Sequence, residues 1–536
     1  MRKYIYILFV GLLLIACQKE STPESLTPQI FVNEVQVIGS NQYLLSGSYD
    51  PIGKEVVNSA TFHYGTTEVM EQSIVAKLSG RTATVILEGL EAATTYYYCL
   101  EIGNGADSRR SEVRSFTTEG TTITAVLKNA NLINAVEQQL GRSFQKEVNG
   151  QVSLNNEYNQ RLVEMTTRLD VSDVGDPHIC DDINLFTNLR MLSCGGNGIT
   201  TLNLHDNTAL EELYNEGKEK FIKNESGNDI GNGFDGVLIN LILPKNATAL
   251  KYIYIRGNML TTLDVTNCPN LLELNCMWNS LRGLDVSKNL KLEKLWCNDN
   301  PLGNLNLTNN TKLTYLNNGS CDLYELDLSK NKELTSIECA NNHLKELNIT
   351  MLPKLYYLEC GGNSMTNIDI SKNTLLERLS IYNSHITSID LSNQPYLKEI
   401  DFNVHEFKSL DLSHQTMLER LLCQFGPLTE LDLSHNPKLN YLEAHGNQFT
   451  SLDLSNNHDL TWLTCFRNHL TELDISMIDN NASVLVGDQI TQTEEPLTLT
   501  LYVNAVQYAH EPGTFIYYMD EYNTGNQDRV NVVLKK

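Results

Sequence analysis

The stretch NLLELNCMWNSLRGLDVSKNLKLEKLWCNDNPLGNLNLTNNTKL, Asn270 to Leu313, nearly repeats itself. Leu271, Leu292 and Leu313 lie 21 residues apart, and the first two each open the pattern Leu-x-x-Leu-x-Cys-x-x-Asn. A short pattern restated at a fixed interval indicates one supersecondary unit that is built many times over. The interval therefore decides the architecture before any single residue is considered.

The interval continues over more than half of the chain. Two units begin at Leu189 and Leu210, the second with an insertion at 216–236. The later units begin, without a slip, at Leu250, Leu271, Leu292, Leu313, Leu334, Leu355, Leu376, Leu397, Leu418, Leu439 and Leu460. The thirteen units share the pattern Leu-x-x-Leu-x-(Cys/apolar)-x-x-Asn-x-Leu-x-x-Leu-Asp-Leu-Ser.

This pattern, over Asn188 to Ser476, resembles the leucine-rich repeat. It is most similar to bacterial surface repeats, including the internalins and the lipoproteins of gut Bacteroidetes. The resemblance implies an α/β-type leucine-rich repeat solenoid, mostly strand and irregular structure, with thirteen units of 21 residues. Units this short leave no room for a helix on the return side, so we expect extended or 3₁₀ segments there.

The energetics of one unit require stacking. Six inward apolar side chains, three on a short strand and three on the return side, contribute roughly 12 kcal/mol at ~2 kcal/mol each. Ordering the backbone of one unit costs ~20–40 kcal/mol. A single unit therefore cannot fold alone, and neighbours must share burial and backbone hydrogen bonds.

Three polar or sulfur-bearing slots recur in the units. Asn at the ninth position can join the backbones of adjacent turns: Asn197, Asn258, Asn279, Asn300, Asn342, Asn363, Asn447 and Asn468. Asp between the return-side leucines either caps local N–H groups or forms a stripe that attracts cations: Asp264, Asp285, Asp327, Asp369, Asp390, Asp411, Asp432, Asp453 and Asp474. Cys fills the sixth position in seven units: Cys194, Cys276, Cys297, Cys339, Cys360, Cys423 and Cys465.

The sixth position also accepts Ile255, Ile381, Phe402 and Ala444, which indicates a packing slot. We therefore interpret its cysteines as small apolar fillers. Disulfides and a metal site remain the alternatives, although cysteines in a line suit neither the tetrahedral geometry of zinc nor disulfide geometry. Cys180, Cys268 and Cys321 lie outside this slot and are left undecided.

The N-terminus reads as an export signal. A short basic start and a 13-residue apolar run, Tyr4 to Ala16, are typical of a signal peptide and too short for an ordinary membrane span. The run ends in Leu-Ile-Ala-Cys, which resembles the lipobox of bacterial lipoproteins. The resemblance implies a signal peptide at 1–16, lipidation of Cys17 and a polar tether at 17–28. A plain secretory signal or an anchor helix is the alternative.

Alternating segments at 29–118 predict a small all-β sandwich. Leu90, Thr94 and Tyr96 resemble the corner motif of fibronectin type III domains, whose Tyr hydroxyl bonds back to nearby backbone. We interpret this immunoglobulin- or fibronectin III-like domain as a spacer, with a second binding site as the alternative. The lone Cys99 is expected to be half-buried.

The remaining segments are expected to cap or interrupt the array. Two helices at "NLINAVEQQLG" and "SLNNEYNQRLVEM" predict an N-terminal cap at 119–187. The repeats then occupy 188–480, and alternating segments at 481–536 predict a C-terminal β cap. The sequence GNDIGNGFDG, Gly227 to Gly236 within the insertion, is expected to be a mobile loop.

The third, fifth, seventh and eighth positions of each unit have no predicted core role. They carry an unusual number of aromatic side chains, a composition that favours binding hot spots. The predicted partner-binding residues on this concave side are Tyr252, Tyr254, Arg256, Met277, Trp278, Trp296, Tyr315, Tyr357, Tyr382, Phe425, Tyr441, His445, Trp462 and Phe466. Alternatively, these rings stack along the sheet and only stabilise it.

Charge and motif content limit the function. A formal net charge of −25 disfavours nucleic acid and anionic membranes. The histidines scatter over different units, so we expect no enzyme, no metal and no cofactor. We expect a lipid-anchored protein of the outer membrane or cell surface that binds an extracellular protein. Capture of a polysaccharide is the alternative.

Overall fold

The computed structural model describes residues 30–39, 42–49, 57–91, 94–104, 108–118, 125–223, 229–487, 489, 497–509, 516–517 and 530–535. The predicted signal peptide, Cys17 and the tether lie outside the described residues. None of the described helices is long and apolar enough to span a membrane.

The N-terminal domain consists of two antiparallel five-stranded sheets. One has the order β1-β3-β7-β6 with β2 on β3, and the other β10-β8-β4-β5 with β9 on β8. The strands are β1 (Ile30–Val32), β2 (Gln36–Gly39), β3 (Gln42–Tyr49), β4 (Ser59–Gly65), β5 (Gln72–Val75), β6 (Lys77–Ser79), β7 (Thr82–Glu88), β8 (Thr95–Gly103), β9 (Ser108–Arg110) and β10 (Arg114–Thr117).

The inner faces of these sheets enclose one apolar cluster that includes Leu45, Phe62 and Leu100. The Tyr96 hydroxyl accepts a hydrogen bond from the Glu91 backbone N–H at 3.1 Å. This is the back-bond that the corner motif implies, and it confirms the local geometry inferred from the sequence.

A compact cap joins this domain to the repeats. It comprises β11 (Val126–Leu127), α1 (Ala130–Leu140), β12 (Val152–Ser153), α2 (Glu157–Met165), β13 (Arg168–Asp170) and a 3₁₀ turn at Ile183–Leu185. Both predicted helices are confirmed. The Asn129 side chain caps α1 by accepting from Leu132 N–H at 2.8 Å, and α1 ends at Gly141 in the left-handed region. The apolar face of α1 packs into the same core cluster as the repeats.

The repeats form one parallel sheet of sixteen strands, in the order β13-β14-β16, then β20 to β30, then β32 and β34. The strands beyond the cap are β14 (Met191–Ser193), β15 (Thr201–Asn203), β16 (Glu212–Tyr214), β17 (Glu219–Lys223), β18 (Asp229–Phe234), β19 (Asn240–Ile242), β20 (Tyr252–Tyr254), β21 (Glu273–Asn275), β22 (Lys294–Trp296), β23 (Tyr315–Asn317), β24 (Ser336–Glu338), β25 (Tyr357–Glu359), β26 (Arg378–Ser380), β27 (Glu399–Asp401), β28 (Arg420–Leu422), β29 (Tyr441–Glu443), β30 (Trp462–Thr464), β31 (Glu472–Asp474), β32 (Ser483–Leu485), β33 (Leu499–Val503), β34 (Ile516–Tyr517) and β35 (Val530–Leu534), with helix α3 (Ala505–Ala509).

The register of this sheet follows the repeat. Leu295 pairs with Leu274 on one side and Leu316 on the other, and all three are fully buried. The sheet extends beyond 188–480, because β13 of the cap starts it and β32 and β34 continue it. Strands β31, β33 and β35 form a separate parallel sheet on the return side.

The return side contains turns instead of helix within the described part of 189–478. In eleven of the thirteen units two successive i→i+3 hydrogen bonds reverse the chain, as in Asn289 N–H to Val286 O at 3.0 Å and Leu292 N–H to Asn289 O at 3.0 Å. The expectation that 21 residues leave no room for a return-side helix is therefore confirmed.

The ninth-position amides bond adjacent turns as predicted. Asn300 Nδ2 donates to Cys276 O at 3.0 Å and Cys297 O at 3.1 Å, while its Oδ1 accepts from Leu281 N–H at 3.0 Å. One side chain thereby joins three backbone groups in two adjacent turns.

A second column of buried side-chain amides lies on the return side, at positions that the sequence alone did not predict. Asn310 Nδ2 donates to Val286 O and to Asn289 O, both at 3.0 Å, and Asn310 is fully buried. The same bonding recurs at Asn289, Asn331, Asn373, Gln394, Gln415, Asn436 and Asn457. These side chains are structural, although their sequence context reads as a polar turn.

The cysteines are buried thiols, as interpreted. Every cysteine in the described residues is unpaired and buried. Burial raises the pKa of Cys339, Cys423 and Cys465 to about 12, so these thiols stay protonated at neutral pH. Cys99 is also fully buried and not half-exposed, since it lies on the inner strand β8 of the sandwich.

Asparagine takes the sixth position in two units, at Asn215 and Asn318, which the sequence analysis above did not include. Asn215 Nδ2 lies 3.2 Å from the Cys194 sulfur, whereas neither polar atom of the fully buried Asn318 has a hydrogen-bond partner. In the unit of Asn318 the two slots are exchanged, because Cys321 takes the ninth position. Its Sγ lies 3.2 Å from Cys297 O, in the place of an amide donor.

The nine aspartates cap backbone groups. Each Oδ1 accepts from the N–H two residues later, as in Asp390 with Ser392 at 2.9 Å. The side-chain and backbone hydrogen bonds of Ser392 hold the pKa of Asp390 below its ordinary value. The capping interpretation is confirmed, and each carboxylate has a local structural role.

The described part of the insertion contains two paired strands, which differs from the expected mobile loop; Gly227 and Asn228 of that expected loop lie outside the described residues. Strand β18 pairs antiparallel with β17 and makes a hairpin at the side of the second repeat. The Phe234 ring covers Gly257, whose Cβ would lie 2.4 Å from it, and contacts Trp278 with a centroid separation of 5.5 Å. The expectation of a loop over Gly227 to Gly236 is therefore wrong for β18, because Phe234 has a packing site on the repeats.

The sandwich docks directly on the repeats through the β6–β7 turn. Ser79 Oγ donates to Leu263 O at 3.4 Å, and Lys77 Nζ pairs with Asp264 at 3.0 Å. Gly80 meets Gly283 so closely that a Cβ on Gly283 would lie 3.1 Å from Arg81 N. This glycine lets the turn approach the repeat backbone.

We expect Gly283→Val to separate the turn from the repeats, because the added side chain overlaps the Gly80–Arg81 backbone. Small-angle scattering should then give a larger radius of gyration, and limited proteolysis should release the sandwich faster. The matched control is Asn304→Val, at the equivalent exposed position one unit on. Equal behaviour of the two variants would contradict the docking.

Candidate ligand-binding face

The outward side of the repeat sheet is the candidate site. It comprises the first and third residues of each strand, here called the strand face, the seventh position of each unit, and the eighth position of each unit, here called the ridge. None of the predicted partner-binding residues lies in the apolar core; most are half-buried, and Trp278 and Phe425 are exposed. The structure thus gives these side chains the outward position that binding requires.

Aromatic rings of adjacent strands contact each other in pairs. Trp296 and Tyr315 have ring centroids 4.8 Å apart, and Tyr441 and Trp462 are stacked at 5.7 Å with an interplanar angle of 4°. The rings of Tyr441 and Trp462 therefore stack along the sheet, whereas those of Trp296 and Tyr315 are tilted by 39°. Stacking fixes the rings at little further entropic cost on binding, so it is compatible with a preorganised surface.

Tyrosine hydroxyls donate to carboxylates on the same face. Tyr315 OH donates to Glu338 at 2.6 Å, and Tyr357 OH donates to Glu359 at 2.8 Å. Burial and the neighbouring carboxylate raise the pKa of both tyrosines, and burial raises the pKa of Glu338. The phenols are therefore neutral donors, and the carboxylates are incompletely solvated.

Arginines lie over rings in the second half of the face. The Arg420 guanidinium is 3.9 Å from the Tyr441 ring centroid, and Arg378 is 5.0 Å from that of Tyr357. A depression of about 210 Å³ lies between them, lined in part by Tyr382 and Asp401. Burial raises the pKa of Asp401, whose partners are the neutral Ser380 hydroxyl and Asn403 N–H.

The ridge has an unusual backbone. In twelve of the thirteen units its residue adopts positive φ, which favours Gly, Asn and Asp: Gly196, Gly257, Trp278, Asp299, Ser320, Asn341, Gly362, Asn383, Val404, Phe425, Gly446 and Arg467. A bulky L-residue in this conformation costs roughly 1–2 kcal/mol. Val404 was not predicted as a site residue, although its β-branched side chain at the eighth position was a readable signal.

A ring cluster continues from the ridge at its C-terminal end. The His445 ring stacks on Phe466 at 4.2 Å and meets Phe425 edge-on at 4.8 Å. Burial lowers the pKa of His445 to about 4, so this imidazole is neutral at pH 7. Within the described residues, no group of three or more His, Cys, Asp or Glu side chains could hold a metal ion.

These features define a leucine-rich repeat solenoid that presents an aromatic and charged sheet surface to solvent. Its structure is similar to the functional domain of InlJ from Listeria monocytogenes, which includes a cysteine ladder. The TM-score is 0.53 and the identity 27%, over 71% of this chain and 82% of that one. It is also similar to YopM, a leucine-rich effector protein from Yersinia pestis, with a TM-score of 0.46 and 20% identity over 63% and 94% of the two chains. No family model and no curated relative matches the chain.

Proposed function

We propose that the protein is a non-catalytic, lipid-anchored surface protein that binds an extracellular protein through its strand face. The observation that carries the proposal is the row of outward aromatic side chains on the sheet from β20 to β30. Large rings with polar edges contribute much contact area at low entropic cost, and they dominate known hot spots.

A protein partner fits the extent of this surface. The face spans eleven strands at a spacing of ~4.8 Å, or roughly 50 Å, which is longer than a small metabolite requires. The likeness to InlJ supports a leucine-rich repeat scaffold of this kind. The net charge of −25 favours a partner with a neutral or basic surface.

The anchor is part of the same proposal. Lipidation of Cys17 would tie the chain to a membrane, and the polar segment 17–28 would lead to the sandwich. Because the β6–β7 turn contacts the repeats, the sandwich would act as a spacer that fixes their orientation. Mass spectrometry of the mature N-terminal peptide from the native host tests the lipid on Cys17.

The binding experiment uses the full chain and two probes, a phage-displayed library of random peptides and a polysaccharide array. We expect selected peptides to bind the wild type and to lose about tenfold or more of their affinity for the double variant Trp296→Ser/Tyr315→Ser. The matched control is Tyr324→Ser, an exposed tyrosine on the return side. Melting curves verify that both variants are folded.

The outcomes separate the candidate functions. Peptide binding that depends on Trp296 and Tyr315 supports the proposal. Polysaccharide hits without peptide binding would replace it with glycan capture, and equal binding of the strand-face and control variants would reject the face as the site.

A further inference from the structure

Two adjacent ridge residues have side chains that their backbone does not favour. Val404 and Phe425 have φ angles of 54° and 58°. Ten other units have a residue with positive φ at the same position, and eight of these residues are Gly, Asn, Asp or Ser. β-Branched valine is a particular outlier in this region. Strained residues of this kind concentrate at functional positions, so the side chains themselves need an explanation.

The backbone at these two positions is held independently of the side chains. The ridge backbone is held by Val404 N–H to Gln424 O and Phe425 N–H to His445 O, both at 2.9 Å, and these bonds are independent of the side chain. Val404 is 41% and Phe425 47% exposed. The side chains therefore face solvent next to the strand face, where burial by another molecule would be favourable.

The protein itself shows what the ridge can hold. At its other end Phe234 of the insertion hairpin lies over Gly257 and against Trp278, which is another bulky residue at positive φ. The strained ridge side chain there forms one wall of a site for an apolar ring. Val404 and Phe425 present a similar apolar wall. The Phe425 ring contacts His445 edge-on and lies over Gly446, and about half of the Phe425 side chain stays exposed to solvent.

The flanking strand residues add charge to this surface. Leu422 on β28 is in register with Asp401 on one side and Glu443 on the other. The hydrogen-bond partners of both carboxylates are neutral, namely Ser380 and Asn403 for Asp401 and Tyr441 and Gln424 for Glu443. An apolar centre between two carboxylates is complementary to an apolar side chain with a basic neighbour.

We propose that Val404, Leu422 and Phe425 bind an apolar side chain of the protein partner, and that Asp401 and Glu443 bind an adjacent Lys or Arg. This inference rests on the proposed function and specifies where the partner's anchor residue docks. The proposed function uses the whole aromatic strand face, whereas this inference places the partner's anchor residue at the part of the ridge formed by Val404 and Phe425.

The test uses the full chain and the displayed peptide library. We expect peptides selected on the wild type to contain an aromatic or aliphatic residue next to Lys or Arg. The double variant Val404→Asn/Phe425→Asn should lose about tenfold or more of the affinity while still melting cooperatively, because Asn suits positive φ. Ser320→Asn, at the same slot, is the matched control.

A second variant tests the charges. Asp401→Asn/Glu443→Gln should abolish the preference for Lys and Arg and retain the apolar preference. Loss of binding in Trp296→Ser/Tyr315→Ser with full binding in Val404→Asn/Phe425→Asn would overturn this inference and leave the proposed function intact. Binding that depends on neither variant, or peptides without an apolar-basic pair, would also overturn it.

Discussion

Asn300→Ala is expected to lower the free energy of unfolding by about 3–4 kcal/mol, which is a large effect for a residue type that usually lies on the surface. The substitution leaves the buried Leu281 N–H without its acceptor and removes the donor to Cys276 O and Cys297 O. An orphaned buried N–H costs about 1–3 kcal/mol, and each lost hydrogen bond costs about 1 kcal/mol. Urea unfolding followed by circular dichroism measures the change.

The matched control is Asn304→Ala in the same unit. Asn304 is exposed, and its replacement should change the unfolding free energy by no more than about 0.5 kcal/mol. Equal midpoints for Asn300→Ala and Asn304→Ala would mean that the amide column does not join the turns, which would contradict the structural role given to the ninth position.

The repeat fold could be predicted because its rule is local. Each inward Leu recurs after 21 residues, and parallel in-register pairing follows once the units stack, as Leu274, Leu295 and Leu316 show. The nine Asp caps were also readable, since each acts on an N–H two residues later. Both periodicity and short-range hydrogen bonding can therefore be recognised from the sequence alone.

Features that depend on contact between distant segments were not predictable. Gly283 is one of many glycines in the sequence, and only the approach of Gly80 gives it a role. The buried amides such as Asn310 look like turn residues, because sequence does not show that their side chains point inward. The hairpin of the insertion was missed because Phe234 packs on Gly257, in another repeat.

The candidate site was only partly predictable for the same reason. The outward alternation of Tyr252, Ile253 and Tyr254 follows from strand periodicity, and the structure agrees. The stacking of Tyr441 on Trp462 and the positive φ of Val404 depend on three-dimensional backbone geometry. Residue type and strand periodicity therefore identified the candidate strand face. Only the three-dimensional structure distinguishes the side chains that stack on each other from those that are exposed on a strained backbone.

Asn318→Val is expected to raise the free energy of unfolding by about 2 kcal/mol. Asn318 is fully buried in the sixth slot, and neither its amide nitrogen nor its oxygen has a hydrogen-bond partner. Burying an unpaired amide costs about 1–3 kcal/mol on protein scales, and valine removes that cost while filling a similar volume. Val486 and Ile381 occupy the same slot in other units, so the site tolerates a β-branched side chain.

Asn215→Val is the control, because Asn215 shares the slot but donates to the Cys194 sulfur at 3.2 Å. Its replacement loses a real interaction and should give a smaller gain or a loss. Urea midpoints of the two variants should therefore move apart, with that of Asn318→Val the higher. If Asn318→Val instead lowers the midpoint as much as Asn215→Val does, the Asn318 amide is satisfied in solution, and the exchange of amide and thiol between Asn318 and Cys321 stabilises the solenoid.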